Sequence, residues 1–429
     1  MTTPEPLPRL AVVFDFGSAS PMGILASARG LARIVFLCDR DLPHVRSRYD
    51  DLRALAPVCD ITGLTDEQIL AHPGCADLAG IVTFSETQLN RTAALAGRWG
   101  LPFLSVPTAA AVTDKYTQRR ILAEAGVQHT ECRVVRDPAD LDPALDAVGL
   151  PAVLKPRSGA ASARTCTVHS LDEARARLRA FTDPAAGGSP GEFVVEQLLT
   201  GDPAVAGEGW ADYVSVESMT SHGDIRHVEV TGKFPLAPPL RETGYVVPST
   251  LSEARRAEVL ALTTAALTAL GVRHGITHTE VKLTPGGPRI IEVNGRLGGY
   301  VAELVRRARG FDLVRAALTV ALGRPGDPPP TAYRRHAFQF FLTPPMDAVT
   351  LRRLDGIDEL GAVPGIHLVE VLVEPGAALD WRRGTLAYLG IVHGSAPDHR
   401  GVRRLVDLVG RTLRIVYEGA PNSDETPTN

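Results

Sequence analysis

The sequence predicts a mixed α/β and α+β protein, with an open, Rossmann-like α/β unit first, a larger mixed unit in the middle and a small α+β unit last. Three observations predict it. Short apolar runs of strand length alternate with helical stretches over residues 10–106, as a mostly parallel sheet requires. From residue 213 onward, strand-like segments follow one another through tight turns, as antiparallel pairs do. The stretch Pro325-Gly326-Asp327-Pro328-Pro329-Pro330 then reads as a linker. A chain of 429 residues is too long for one small core, so two to four domains are expected.

In the first unit, Leu10 to Phe14, Ile34 to Cys38 and Gly80 to Phe84 read as strands, and Gln88 to Trp99 as a helix stopped by Gly100. The turn Gly17 to Gly23 is ligand-facing but matches neither a dinucleotide fingerprint nor a phosphate-binding P-loop. Thr113-Asp114 caps a helix through Leu122, ended by Gly126. A strand at Ala152 to Lys155 leads into the small-residue loop Pro156 to Ala163, a strand at Thr165 to Val168 and a helix from Leu171 to Phe181. Gly187 to Gly191 reads as a surface loop, and Phe193 to Glu196 as a strand. Tyr213 to Met219 and Ile225 to Val230 form an antiparallel pair, and a long helix runs from Ser252 to Leu270. Beyond residue 330, strands are expected near Ala337 to Leu342, His367 to Val373 and Leu386 to Val392, with a helix from Gly401 to Thr412. The last residues, 419–429, read as a disordered tail.

Composition removes several function classes. A net charge of −4 argues against nucleic acid as the main partner. No run of 18 apolar residues exists, so no membrane partner is expected. The first residues lack the basic and apolar regions of a secretory leader, which predicts a cytoplasmic protein. Five scattered cysteines without a CxxC predict reduced thiols, no structural zinc and no disulfide framework. Of 45 basic residues only Lys115, Lys155, Lys233 and Lys282 are lysines, so those that persist either mark places where a compact ammonium matters or are accidental survivors of a coding bias.

The chemistry concentrates in residues 278–296. Alternation around Pro285-Gly286-Gly287 predicts a β-hairpin that sets Glu280 opposite Glu292. Glu280, Lys282, Ile290, Glu292 and Asn294 would share one face; Val281, Leu283, Ile291 and Val293 would face a core. Facing carboxylates repel unless a cation sits between them, and two Glu with an Asn offer the hard oxygens that suit Mg²⁺. Arg296 adds a planar donor for a phosphoryl group. Lys155 ends a strand and opens a loop whose small residues let backbone N–H groups approach phosphate.

This ordered set consists of a helix lysine, a strand lysine with its loop, Val194-Val195-Glu196-Gln197-Leu198-Leu199-Thr200-Gly201, then Glu280 and Glu292-Val293-Asn294. It resembles the ATP-grasp superfamily over most of the chain. Asp212 to Glu217, Arg241 to Ser249 and His278 to Leu283 look like the bacterial L-amino-acid ligases, the dipeptide synthetases of the bacilysin type. The resemblance implies a pre-ATP-grasp domain over residues 1–112, a small lobe with the phosphate loop over 113–195, a large lobe with the metal and substrate site over 196–330, and a C-terminal α+β subdomain over 331–418, which could support a homodimer.

It also implies roles. Lys115 and Lys155 would hold the α- and β-phosphates, with Gly159 and Ser162 in the loop closing over the γ-phosphate. Glu196, Gln197 and Leu199 would line the adenine, and Asp212 or Glu217 would face the ribose. Lys282 joins the nucleotide-binding set, and Lys233 would reach toward the phosphates. Glu280 and Glu292 would hold two Mg²⁺, replaceable by Mn²⁺, with Asn294 on one ion. Arg296 would hold the transferred phosphoryl group and the acyl carboxylate.

The implied reaction is ATP-dependent joining of a small carboxylate to an amine through an acyl phosphate, as in dipeptide formation for specialised metabolism. Where the related ligases carry a histidine, this chain has Tyr245, which could assist the amine only with a shifted pKa. Glu242 could receive a substrate ammonium or be plain surface charge. Two other readings stand beside this one: a carboxylase or purine-pathway-type ligase using bicarbonate or formate, and a non-catalytic ATP-binding regulator. The identities of the acid and the amine lie in pocket loops that no motif marks.

Overall fold

The structure, a computed structural model, describes residues 6–184 and 188–419. The expected tail beyond residue 419 and the start of the expected loop at Gly187 fall outside them. Four strands open the chain: β1 (Arg9–Phe14), β2 (Arg33–Cys38), β3 (Val58–Asp60) and β4 (Leu78–Val82). They form one parallel sheet in the order β3-β2-β1-β4. Strands buried on both faces need continuous apolar runs, and Leu10 to Phe14 and Ile34 to Cys38 supply them at 7% exposure or less. Helix Leu89–Trp99 ends on Gly100 in the left-handed region, as its sequence predicts.

A second four-stranded sheet contains β5 (Cys132–Val135), β6 (Ala152–Pro156), β7 (Cys166–Val168) and β8 (Phe193–Gln197), all antiparallel in the order β5-β8-β6-β7. Two helices, Leu141–Val148 and Leu171–Thr182, cover it and close a small core around Leu141, Leu154, Val168 and Phe181.

The largest sheet has eight strands. Its members are β9 (Tyr213–Ser221), β10 (Asp224–Lys233), β11 (Gly244–Val247), β12 (Gly275–Thr284), β13 (Gly287–Asn294), β14 (His336–Phe341), β16 (Ile366–Val371) and β17 (Gly390–Ala396), in the order β13-β12-β9-β10-β11-β14-β17-β16. A two-stranded pair, β15 (Thr350–Asp355) with β18 (Arg414–Glu418), lies apart. The Pro-rich stretch before residue 331 therefore does not end a sheet: β14 pairs directly with β11, and the strands beyond the prolines extend the sheet that carries the hairpin. Arg309 pins the stretch by bonding the Pro330 carbonyl and the buried Glu229 at 3.0 Å. The strand expected at Leu386 begins only at Gly390. Residues Trp381–Ala387 instead form a 3₁₀ turn that breaks at Gly384, whose φ of 64° and close neighbours leave no room for a side chain.

Helix Val301–Arg309 crosses the sheet near β14 and presents Glu303 to Arg307, to Gln339 Nε2 at 3.0 Å and to His393 Nδ1 at 3.5 Å. Burial alone would raise the Glu303 carboxyl, but His393 and Arg307 hold it at about 2, below its ordinary 4.5. A depressed carboxylate stabilises the fold above its unfolded pKa, and this contribution is lost as pH falls through the folded value. The stability gap between the wild type and Glu303→Gln, measured by urea unfolding, is expected to shrink as pH falls from about 4.5 to about 2. A gap that does not change with pH would show that the carboxylate contributes nothing through its charge.

Candidate active site

The hairpin β12–β13 forms in the predicted register, with Glu280 directly opposite Glu292 and Asn294 opposite His278. The facing carboxylates are half-open, at 26% and 17% side-chain exposure. One detail differs from simple alternation. A bulge after Glu280 pairs Val281 with Ile290, so Ile290 joins Val281, Leu283 and Val293 in the core and Ile291 is displaced from it. The extra residue in β13 reverses the two isoleucines' faces while keeping the carboxylates in place.

Three of the four lysines converge on this sheet end or its border. Lys115 opens helix Lys115–Glu124, capped by Asp114, whose other oxygen takes the Arg157 guanidinium at 2.6 Å. Lys115 Nζ lies 3.0 Å from Glu292 Oε1 and donates to the Gly159 carbonyl at 3.0 Å, so it ties the hairpin to the small-residue loop. In that loop Gly159, Ala161, Ser162 and Arg164 all hold positive φ. Lys155, at the end of β6, bonds Glu196 Oε1 at 2.5 Å. Arg119 takes the other oxygen of Glu196 at 3.1 Å and also donates to the Ile291 carbonyl. Burial pushes the Glu196 carboxyl up, but Arg119 and Lys155 outweigh it and hold it below the usual carboxylate range. The Glu196 side chain thus points inward to cations, while Gln197 and Leu199 keep open surface.

Of the two ribose candidates, Asp212 lies beside the 197–201 segment. A Cβ on Gly201 would sit 2.1 Å from Asp212 Oδ2, and Lys282 Nζ bonds Asp212 Oδ1 at 2.7 Å. Glu217 does not belong there. It lies further along β9, opposite His278, fully buried, bonded to His278 Nδ1 and accepting the Gly298 N–H at 3.2 Å. Its work is to hold His278 and the turn after the hairpin. His278 Nε2 in turn lies 3.5 Å from Glu280 Oε1. Burial lowers His278, but the Glu217 carboxylate wins and raises it to about 9, so an imidazolium stands behind Glu280.

Lys233 also departs from expectation. Its side chain is fully buried, its Nζ sits 2.9 Å from Glu242 Oε1 and 3.8 Å above the Tyr245 ring, and it is engaged there rather than free. Glu242 is not surface charge: it accepts from Lys233, from Tyr245 Oη at 2.6 Å and from Tyr213 Oη at 3.3 Å. Burial and the Glu242 charge raise both phenols well above their ordinary value. Tyr245 is therefore a donor, and its shift runs opposite to what a base would need.

Arg296 is held from across the molecule. Its Nε lies 2.9 Å from Glu86 Oε2, in the turn Glu86–Gln88 that follows β4 of the first sheet. Burial raises the Glu86 carboxyl, against the pull of Arg296 and with the push of Glu292. Glu86 and Arg119 were missed in the sequence. Glu86 had a signal, since ligand-facing residues gather beyond the carboxyl ends of parallel strands; Arg119, on an ordinary helix face, had none. The structure thus gathers Lys115, Lys155, Glu280, Glu292, Asn294 and Arg296 around one sheet end, and sets Lys233, Glu242 and Tyr245 in a neighbouring cluster.

Comparison with known proteins bears on the fold. Residues 148–303 match the family model of the ATP-grasp domain. The uncharacterized protein y4rH of Sinorhizobium fredii is 29% identical over 338 residues, covering 77% of this chain and 66% of that protein. The alanine–anticapsin ligase of Bacillus subtilis is 26% identical over 275 residues, covering 61% and 58%. The chain thus spans about three fifths to two thirds of the length of these relatives. The crystal structure of an L-amino acid ligase from Bacillus licheniformis superposes with a TM-score of 0.73 at 21% identity, over 96% of this chain and 99% of that one. Among the described residues, no helix is long and apolar enough to cross a membrane.

Proposed function

From an ATP-grasp fold with an ATP-grasp domain at its centre, we propose that this chain is an ATP-dependent carboxylate–amine ligase that joins a small amino-acid-like carboxylate to an amine. The observation that carries the reading is the shared sheet end of Glu280, Glu292, Asn294, Lys115 and Arg296. A nucleotide-binding module needs cations for phosphate. It does not need two facing carboxylates and a guanidinium held by a carboxylate from the turn that follows the first sheet. The relatedness to an alanine–anticapsin ligase supports the same class.

The residues fit a divalent cation. Glu280 and Glu292 stand at one register position, and the Asn294 amide nitrogen is turned to the His278 carbonyl at 3.4 Å, which leaves its oxygen as a ligand. Two Mg²⁺, for which Mn²⁺ can substitute, would supply charge neutralisation on the phosphate oxygens when bound. Lys115 and Lys155 hold the phosphates, each now resting on a carboxylate that a nucleotide would replace or share. Gln197 and Leu199 border the adenine, and Asp212 with Lys282 borders the ribose.

Arg296 positions the substrate carboxylate against the γ-phosphoryl group. A carboxylate oxygen of the substrate bonds to the γ-phosphorus, ADP leaves with the P–O electron pair, and the acid becomes an acyl phosphate. The amine then attacks the acyl carbon, phosphate leaves with the C–O electron pair, and the nitrogen gives up a proton. Glu242, beside the buried Lys233, is placed to receive the ammonium and that proton, with Tyr213 and Tyr245 fixing its orientation. The loop at 158–165 shields the acyl phosphate from water.

The test is ADP release with ATP and Mg²⁺ against pairs of amino acids and small carboxylates, with mass spectrometry of positive reactions. Release that needs both partners, with a product mass equal to their condensation, is expected. Bicarbonate-dependent release without an amine would replace this reading with a carboxylase. Tight ATP binding with no release for any pair would replace it with a non-catalytic clamp.

A further inference from the structure

Away from the candidate active site, Cys59 meets two side chains of the turn that follows helix Asp66–Leu70. Cys59, on β3, places Sγ 3.1 Å from His72 Nδ1 and 3.6 Å from Cys75 Sγ. All three ligand atoms lie within 4.8 Å of one another, and both cysteines are buried. We propose that Cys59, His72 and Cys75 form a binding site for one Zn²⁺ ion, with solvent at the fourth position beside the half-buried His72.

The spacing fits the metal. With Zn–S near ~2.3 Å and Zn–N near ~2.0 Å, tetrahedral geometry sets the ligand atoms roughly 3.5–3.8 Å apart. The observed separations need adjustments of a few tenths of an ångström at most for the sulfur pair and somewhat more for Cys59 and His72. The local backbone is built as a chelate. His72-Pro73-Gly74-Cys75 folds into a 3₁₀ turn in which the Cys75 N–H donates to the His72 carbonyl at 2.8 Å. This H-x-x-C step has the short spacing with which paired zinc ligands recur, with histidine in one cysteine position.

Two further features point to an occupant. A Cβ at Gly74 would stand 2.9 Å from His72 Nδ1 and 3.3 Å from Cys59 Sγ, so only glycine fits beside the triad; its N–H donates to His72 Nδ1 at 3.0 Å, a hydrogen bond that the metal would replace. Arg9 clamps the turn from outside, donating to the Gly74 carbonyl at 2.6 Å and to the Ala76 carbonyl, and its charge favours the thiolates. Binding Zn²⁺ would release the two thiol protons to solvent, leave His72 neutral and metal-bound through Nδ1, and tie the end of β3 to the connection that leads to β4.

The experiment uses the full chain, reduced and stripped of metal under anaerobic conditions, titrated with Co²⁺. A thiolate-to-cobalt charge-transfer band that saturates at one equivalent and is bleached by one equivalent of Zn²⁺ is expected. Cys59→Ser and Cys75→Ser should each lose the band. Cys38→Ser, a buried thiol of β2 outside the triad, should keep it. His72→Cys should retain a band with altered position, which guards against loss by misfolding. Cobalt at Glu280 and Glu292 has only oxygen partners there and gives no sulfur band. No band in the wild type, or one that survives both serine variants, would overturn the site. So would a Cys59–Cys75 disulfide that persists through the reduction step.

Discussion

Arg296→Ala is expected to lower kcat for ligation by about 10²–10³-fold, the usual cost of removing one preorganised charge donor from a phosphoryl-transfer site. ATP binding, measured by calorimetry, should stay close to that of the wild type, because Lys115 and Lys155 approach from other elements. The fold should survive for a reason visible in the site. Removal of Arg296 strands Glu86, but burial and Glu292 already push its carboxyl up, so it can take a proton instead of holding an unpaired charge. Glu292→Gln should give a loss of comparable size, through the divalent cation. Near-normal turnover in both variants would sink the ligase assignment.

The largest stability effect belongs to Glu196→Ala, with about 3–5 kcal/mol of destabilisation expected in urea unfolding. Glu196 is 4% exposed and neutralises both Arg119 and Lys155, themselves 4% and 5% exposed. Truncation leaves two buried cations side by side with one lost partner. Glu196→Gln should be milder, because an amide oxygen can still accept from both. A stability equal to that of the wild type in the alanine variant would mean that water reaches these cations, contrary to their burial.

Legibility in the sequence followed the range of the interactions. Strand runs, helix caps and the hairpin are written in neighbouring residues, and Glu280 opposite Glu292 followed from one Pro-Gly-Gly turn. The bulge that exchanges Ile290 and Ile291 is not written there, because both residues are isoleucine and either fills the core. Glu217 and Asp212 could not be told apart from spacing, since the difference is which cross-strand neighbour each meets, His278 or Lys282. Glu86 with Arg296 and Cys59 with His72 and Cys75 are contacts between separate elements. The choice for Glu242 between ammonium receptor and surface charge lay beyond its neighbours in sequence, because Lys233 and Tyr213, which close around it with Tyr245, come from other strands. The prolines at 325–330 looked like a border between units, yet the sheet runs on past them because Phe338 and its neighbours pair with β11.

The broken turn at Trp381–Ala387 touches both halves of the site at once. Its Thr385 N–H donates to the Ala161 carbonyl at 2.8 Å, its Arg382 carbonyl accepts the Arg164 N–H at 2.9 Å, and its Thr385 hydroxyl accepts the Glu242 N–H at 3.2 Å. The small-residue loop and the strap that carries Glu242 are therefore tied to one turn. Lifting the loop means parting two backbone hydrogen bonds, a cost of about 1–3 kcal/mol, small enough for each turnover and large enough to be felt at Glu242. Under the proposed ligase reading, any opening of the loop would be carried to Glu242 through the seven residues of this turn.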